Sequence, residues 1–246
     1  MPELTRRDLI ATGSLAALAT LAPAADVAAQ ARVVKKGRLK QSACRWCYRD
    51  IPLPALAKAA AEMGLTALDL VDESDWPVLA EHGLVCSMGW HNTGDIMKLP
   101  GGELQNGLND PKNHDAIVNG LVAAMPRAKK AGVPNLIAFF GNRKGISDAD
   151  AIKSCVAGLQ RVKQPAEEHG INVCVELLNS KIDHKDYQGD RTSFGVEVVR
   201  QLESPRIKLL YDLAYCAAME DMRSFLAVEI GILLRTPLVM LRALGT

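Results

Sequence analysis

The chain has 246 residues, 48% of them hydrophobic, and its 29 basic and 28 acidic residues leave a formal net charge of +1. That length supports one domain with a sizeable core, and dispersed, balanced charge gives no footprint for nucleic acid or an anionic membrane. Aromatic residues are 4% of the chain, which disfavours a stacking platform for bases or sugars, and six cysteines do not make a disulfide scaffold in a domain of this size.

The N-terminus reads as an export signal. Arg6-Arg7 precede an apolar stretch, Leu9 to Ala24, that carries no charge, and Ala29-Gln30-Ala31 supplies a small-x-small exit before Arg32. The paired arginines point to the twin-arginine route, which delivers folded proteins to the bacterial periplasm. A buried amphipathic helix would need a polar face that this stretch lacks, and the stretch is shorter than the ~20 residues of a membrane span. Residues 1–31 are therefore set aside as a signal and residues 32–246 as the domain.

Beyond it, a strand–helix unit repeats. Apolar runs occur at Leu39–Cys44, Thr66–Val71, Leu84–Met88, Asn135–Phe140, Ile171–Leu178 and Ile207–Leu213, and helical patterns lie between them at 53–63, 75–82, 114–130, 148–169 and 193–203. Gly64, Gly83, Gly132 and Gly170 each close a helical pattern just before an apolar run, as a residue in the left-handed conformation does. Ser147 followed by Asp148 and Asp150 reads as a capped helix start. Alternation of this kind gives a parallel sheet with helical crossovers. A closed barrel and an open doubly wound sheet both satisfy it, though no Gly-x-Gly-x-x-Gly follows the first strand to support a dinucleotide fold.

Two of the runs end on an acid: Asn172-Val173-Cys174-Val175-Glu176 and Ile207-Lys208-Leu209-Leu210-Tyr211-Asp212. Buried parallel strands deliver acids in this way to the C-terminal mouth of an α/β barrel. Two such acids on neighbouring strands can share a divalent metal. Cys44-Arg45-Trp46-Cys47 admits a redox reading, but it falls at a strand end, not a helix start, and a zinc site would need a second ligand pair.

Several segments in order resemble hydroxypyruvate isomerase-type proteins. They are Lys40-Gln41-Ser42-Ala43-Cys44-Arg45-Trp46-Cys47-Tyr48, Gly141-Asn142-Arg143, Glu176-Leu177-Leu178-Asn179-Ser180-Lys181, Asp183-His184-Lys185-Asp186-Tyr187 and Leu209-Leu210-Tyr211-Asp212. The resemblance implies a xylose isomerase-like (β/α)8 TIM barrel. It also implies aldose–ketose type isomerisation of hydroxypyruvate or a related small hydroxy-carbonyl compound. In that chemistry a carboxylate removes the proton beside a carbonyl, an enediolate forms, and a second acid returns the proton. A divalent metal, Mg²⁺ or Mn²⁺, would neutralise the developing oxyanion. By resemblance Glu176 is the catalytic glutamate and a metal ligand, and Asp212 a second ligand.

Four residues are candidates for substrate contact. Asn179 and His184 follow the fifth strand on a loop over the mouth, where loop hydrogen bonding is the competing role. His91 follows the third strand, with an exposed loop histidine as the alternative. Arg143 follows the fourth and is suited to a bidentate pair with a substrate carboxylate or to a salt bridge with a barrel acid.

The pattern is incomplete. Tyr215 stands where the family places a substrate-contacting histidine, and no later run supplies its second glutamate. The tail, residues 222–246, departs from the family pattern. Its aliphatic stretch Phe225–Leu244 is interrupted by Glu229, Arg235 and Pro237 and reads as a further helix ended or kinked at the proline, or as a frameshift product. About six βα units, impaired turnover and self-association through open strand edges are the expectations. The competing readings are an inactive truncated barrel and a sugar epimerase of the same superfamily.

Overall fold

The computed structural model describes residues 40–212, Met219 and the strand Val239–Met240. The export signal therefore lies outside the described residues, as does most of the tail. Among the described residues seven strands run in sequence order: β1 (Ser42–Cys44), β2 (Ala67–Asp69), β3 (Val85–Cys86), β4 (Asn135–Phe139), β5 (Asn172–Leu177), β6 (Ile207–Asp212) and β7 (Val239–Met240). Every pairing is parallel, β1-β2-β3 on one side and β4-β5-β6-β7 on the other.

Gly89 joins the two groups. It bridges Leu136 in parallel, donating to the Asn135 carbonyl at 2.9 Å and accepting from the Ile137 N–H at 3.1 Å. A side chain at Gly89 would come within 3.2 Å of Val133 and 3.3 Å of both Leu136 and Trp76. The close approach of β3 to β4 thus depends on the missing Cβ. The result is one parallel arc with its strands in sequence order, as in a TIM barrel, rather than an open doubly wound sheet, whose strand order reverses at a switch point.

Helices fill the crossovers: α1 (Leu53–Met63), α2 (Trp76–Glu81), α3 (Gly102–Gln105), α4 (His114–Ala131), α5 (Asp148–His169) and α6 (Thr192–Leu202). Their ends follow the local chemistry. Gly64, Gly132 and Gly170 close α1, α4 and α5 at φ of 91°, 74° and 71°, and the Ser147 side chain caps α5 by accepting from the Asp150 N–H at 3.1 Å. Helix α4 packs on α5 and α5 on α6, while α5 and α6 both cover β5 and β6. No helix among the described residues is long and apolar enough to cross a membrane.

Two elements differ from the sequence-based expectation. The 27 residues between β3 and α4 contain the short helix α3 and 3-10 turns at Gly94–Lys98 and Pro111–Asn113. Their short polar and glycine-rich segments carry no helical period. In the tail, Val239–Met240 forms a strand, with Tyr211 opposite Val239 and Asp212 opposite Met240. It lies two residues past Pro237, which cannot continue a helix, and its backbone extends the ladder of β6.

Candidate active site at the strand ends

The inner and outer faces of the barrel are set by the strand period of two. Leu177 and Leu209 reach Gly195 of α6, within 3.0 Å and 2.8 Å of where its Cβ would sit. They therefore face the helices, and the alternate residues Glu176, Leu210 and Asp212 face the barrel interior. Glu176 stands opposite Phe139 of β4 on one side and Leu210 of β6 on the other. Both acids are buried, Glu176 at 8% and Asp212 at 2% exposure. Asp212 lies two residues further toward the mouth than the partner of Glu176, a stagger of roughly 6.6 Å that the longer glutamate side chain partly offsets.

The backbone beneath Glu176 is held by Tyr187. This fully buried phenol donates to the Glu176 carbonyl at 2.9 Å and accepts from the Phe140 N–H at 2.9 Å. Burial pushes its pKa well up, so it stays protonated and keeps donating.

A third interior acid, Asp69, ends β2. It lies opposite Cys44 in register and accepts hydrogen bonds from the hydroxyls of Ser42, in β1, and Ser87, just past the end of β3. Burial raises its pKa against the lowering effect of these donors. The sequence held the same signal there, an apolar run meeting an acid, but the run continues to Val71 and hid the strand end. Cys44 feels the charge of both Asp69 and Glu176, which places all three in one electrostatic environment; burial first, with these charges added, lifts the thiol to about 12. A thiol held that high is not a nucleophile, and Cys44 and Cys47 are both free.

The four candidate substrate contacts occupy different surroundings. Arg143 is held by acids of its own chain: Nη1 donates to Asp148 at 2.6 Å and Nη2 to Asp190 at 2.8 Å. Asp190 also accepts from the Ser180 hydroxyl, and Asp148 from Gln188 and Arg191. This network ties the loop after β4 to the loop after β5.

Asn179 builds a turn. Its Oδ1 accepts from the N–H groups of Ile182 and Asp183 at 2.8 Å and 3.0 Å, and its Nδ2 donates to the Asp183 carboxylate at 2.8 Å. His184, half-buried, closes the same loop through its N–H to the Asn179 carbonyl.

His91 is buried rather than exposed. Its Nε2 lies 3.0 Å from the Glu103 carboxylate, though neither ring nitrogen is aligned for a hydrogen bond. Gly120 of α4 permits this, because a Cβ there would fall 2.2 Å from the Asn92 carbonyl and 3.0 Å from the His91 ring. The other Glu103 oxygen accepts from the Phe139 N–H at 3.3 Å. Glu103 sits in the short helix α3, whose four residues carry no apolar period, so nothing in the sequence marked it.

The interior carboxylates supply hard oxygen donors of the kind that bind Mg²⁺, which takes one or two carboxylates and keeps several waters. Glu176 and Asp212 are two such carboxylates, both buried. Among the described residues no group of three or more His, Cys, Asp and Glu side chains is close enough to form a fuller metal cage.

A parallel arc of strands in sequence order, with helices in the crossovers and acids at strand ends, has the architecture of a TIM barrel. The profile of the xylose isomerase-like TIM barrel family matches residues 57–239, and the chain belongs to that family. Among solved structures, an AP endonuclease, family 2, from Brucella melitensis superposes with a TM-score of 0.64 at 18% identity, over 78% of this chain and 76% of that one. The zinc-bound IolI protein gives 0.60 at 15% identity over 76% and 68%. A D-psicose 3-epimerase determined with D-fructose gives 0.53 at 12% identity over 71% and 63%. Sugar epimerases and isomerases thus share this fold. No curated protein matches the sequence.

Proposed function

We propose that this protein is an isomerase acting on a small hydroxy-carbonyl compound of the hydroxypyruvate type by proton transfer through an enediolate. The observation that carries the reading is the placement of Glu176 and Asp212 on one inner face of adjacent strands, at their C-terminal ends. Glu176 is the base that takes the proton next to the carbonyl. Glu176 and Asp212 hold a divalent ion, Mg²⁺ or Mn²⁺, which when bound supplies Lewis-acid stabilisation of the oxyanion. Asn179, His184, His91 and Arg143 shape the mouth, with Arg143 fixing its loops through Asp148 and Asp190.

Proton abstraction needs only the base and is the cleanest test. The protein with Mg²⁺ is incubated with hydroxypyruvate in deuterium oxide, and deuterium entry at the hydroxymethyl carbon is followed by proton NMR. Exchange above the protein-free rate is expected, falling to that rate in Glu176→Gln. Background exchange in the unaltered protein, or equal rates in the two proteins, would sink the reading.

The second reading is epimerisation of a sugar, supported by the resemblance to the D-psicose 3-epimerase fold. It uses the same base and differs in the carbon to which the proton returns. Residues 1–31 are proposed to be a twin-arginine signal that places the protein in the periplasm.

A further inference from the structure

Among the described cysteines, Cys86, Cys155 and Cys174 are buried, whereas Cys44 is half-buried and Cys47 exposed. Cys44 is the last residue of β1, and a 3-10 turn, Arg45–Tyr48, begins directly after it and carries Cys47. Such a turn closes on hydrogen bonds between residues three apart, which holds the end Cα atoms of four residues within about 7 Å. A disulfide bridges Cα atoms about 4.4–6.8 Å apart. Cys44 has the extended backbone of a cap residue, φ −83° and ψ 126°, which turns its side chain back over the start of the turn. The Trp46 N–H and the Cys47 thiol both act on the Cys44 sulfur, so the two sulfurs are neighbours. Arg45 braces the turn from outside, donating to the carbonyls of Tyr48 and Arg49.

We propose that Cys44 and Cys47 close into a disulfide that latches the end of β1 to its mouth loop, as a structural cross-link and not as an exchange catalyst. This stands apart from the isomerase reading, since it needs neither Glu176 nor a metal. The free thiols are the reduced form of the latch. An oxidising compartment is where such a pair closes.

Closure takes two exchanges. The exposed Cys47, as thiolate, attacks one sulfur of a disulfide oxidant such as oxidised glutathione, and glutathione thiolate leaves. Cys44 then gives its proton to solvent and attacks the Cys47 sulfur, and the second glutathione thiolate leaves. The two cysteines lose two protons and two electrons, and the oxidant becomes two glutathione thiols. Burial raises the Cys44 thiol to about 12; the Trp46 N–H acts against this, and the charges of Cys47, Asp69 and Glu176 add to it. The second exchange is therefore the slow one. The same property protects the product: a reductant reaches the exposed Cys47 sulfur first and must expel the Cys44 thiolate, a poor leaving group. An exchange catalyst needs the opposite, an exposed thiol of low pKa.

The full chain, purified with reduced thiols, is incubated with oxidised glutathione, blocked with N-ethylmaleimide and digested with trypsin. Cleavage after Lys40, Arg45 and Arg49 separates the two cysteines. The latch then appears as peptides 41–45 and 46–49 joined, lighter by two hydrogens than their sum. Closure should quicken about tenfold per pH unit between pH 7 and 9, following the thiolate fraction of Cys44. The closed form should melt about 3–6 °C above the reduced one. Cys47→Ser, at an exposed position, should melt as the reduced parent does and gain nothing from the oxidant. Glutathione retained on Cys47 beside an alkylated Cys44, or either peptide joined to a different cysteine, would overturn the proposal. So would a closed form that melts no higher than the reduced one. Prompt reopening by excess reduced glutathione at pH 7 would make the pair an exchange site and remove the latch.

Discussion

The Tyr187 hydroxyl and the Glu176 carbonyl are joined by a 2.9 Å hydrogen bond, and the same hydroxyl accepts from the Phe140 N–H. One buried side chain thus satisfies two backbone groups at the ends of β4 and β5, directly under the proposed base. Tyr187→Phe keeps the ring and removes the hydroxyl's hydrogen bond from each of the two groups in a dry site. The expected cost is about 1–3 kcal/mol of unfolding free energy, read from urea denaturation midpoints. Midpoints within error of each other would show that water or a small shift replaces the hydroxyl.

Asp212→Asn keeps the shape of the side chain and removes its charge. If Glu176 and Asp212 share the ion, Mn²⁺ affinity measured by electron paramagnetic resonance should fall at least tenfold, and Glu176→Gln should do the same. The double variant should lose little more than either single one, because both act on one site. Additive losses would place the two acids in separate environments.

Asp69 gives a pH prediction with a definite sign. Its pKa in the folded chain is raised above the ordinary 3.8, chiefly by burial. The native state therefore holds the proton more tightly than the unfolded chain, and the slope of stability with pH from this group is negative. Its contribution is fully favourable below the unfolded value and is lost as pH rises through the raised folded value. Asp69→Asn removes the ionisation; its amide oxygen still accepts from one of the two serines, and its NH2 donates to the hydroxyl of the other. Urea midpoints of the two proteins should diverge as pH rises from 4 to 7, with the asparagine variant gaining; parallel curves would show that Asp69 ionises as freely as in the unfolded chain.

The elements of the barrel were legible because their signals are local. Helix α5 begins at its serine cap and ends at Gly170 as its residues dictate, and Glu176 and Asp212 stand where apolar runs meet an acid. What escaped the sequence depends on distant partners. Asp190 lies 47 residues from Arg143, and nothing local tells a guanidinium aimed at its own chain from one aimed at a ligand. His91 reads as an exposed loop residue until Gly120 admits it against α4 and Glu103 closes over it. Asp69 carries the same local signal as Glu176, but the apolar residues that continue past it mask the point where the strand stops.

Arg143 lies at the junction of two mouth loops, and its planar fork serves two carboxylates in different directions. Arg143→Lys keeps the charge but reaches one acid at a time. The buried Asp190 then loses part of its pairing, and a loss of about 1–2 kcal/mol is expected in chemical denaturation. Proteolysis within residues 180–190 should also rise, because the loop after β5 is tied down through Asp190. A variant as stable and as protease-resistant as the parent would show that Ser180 and Arg191 hold the loop without Arg143.

Export is testable apart from the fold. The twin-arginine route reads the arginine pair itself, whereas a general secretory signal needs only positive charge ahead of its apolar segment. Changing Arg6 and Arg7 both to lysine keeps the charge and removes the guanidinium pair. In a bacterial host, residues 1–39 fused to a fluorescent protein that matures only when folded in the cytoplasm should direct fluorescence to the periplasmic fraction. The double lysine variant should leave it inside the cell. Equal periplasmic fluorescence from both fusions would remove the twin-arginine assignment. Cytoplasmic retention of both would remove the export assignment altogether. Neither outcome alters the placement of Glu176 and Asp212.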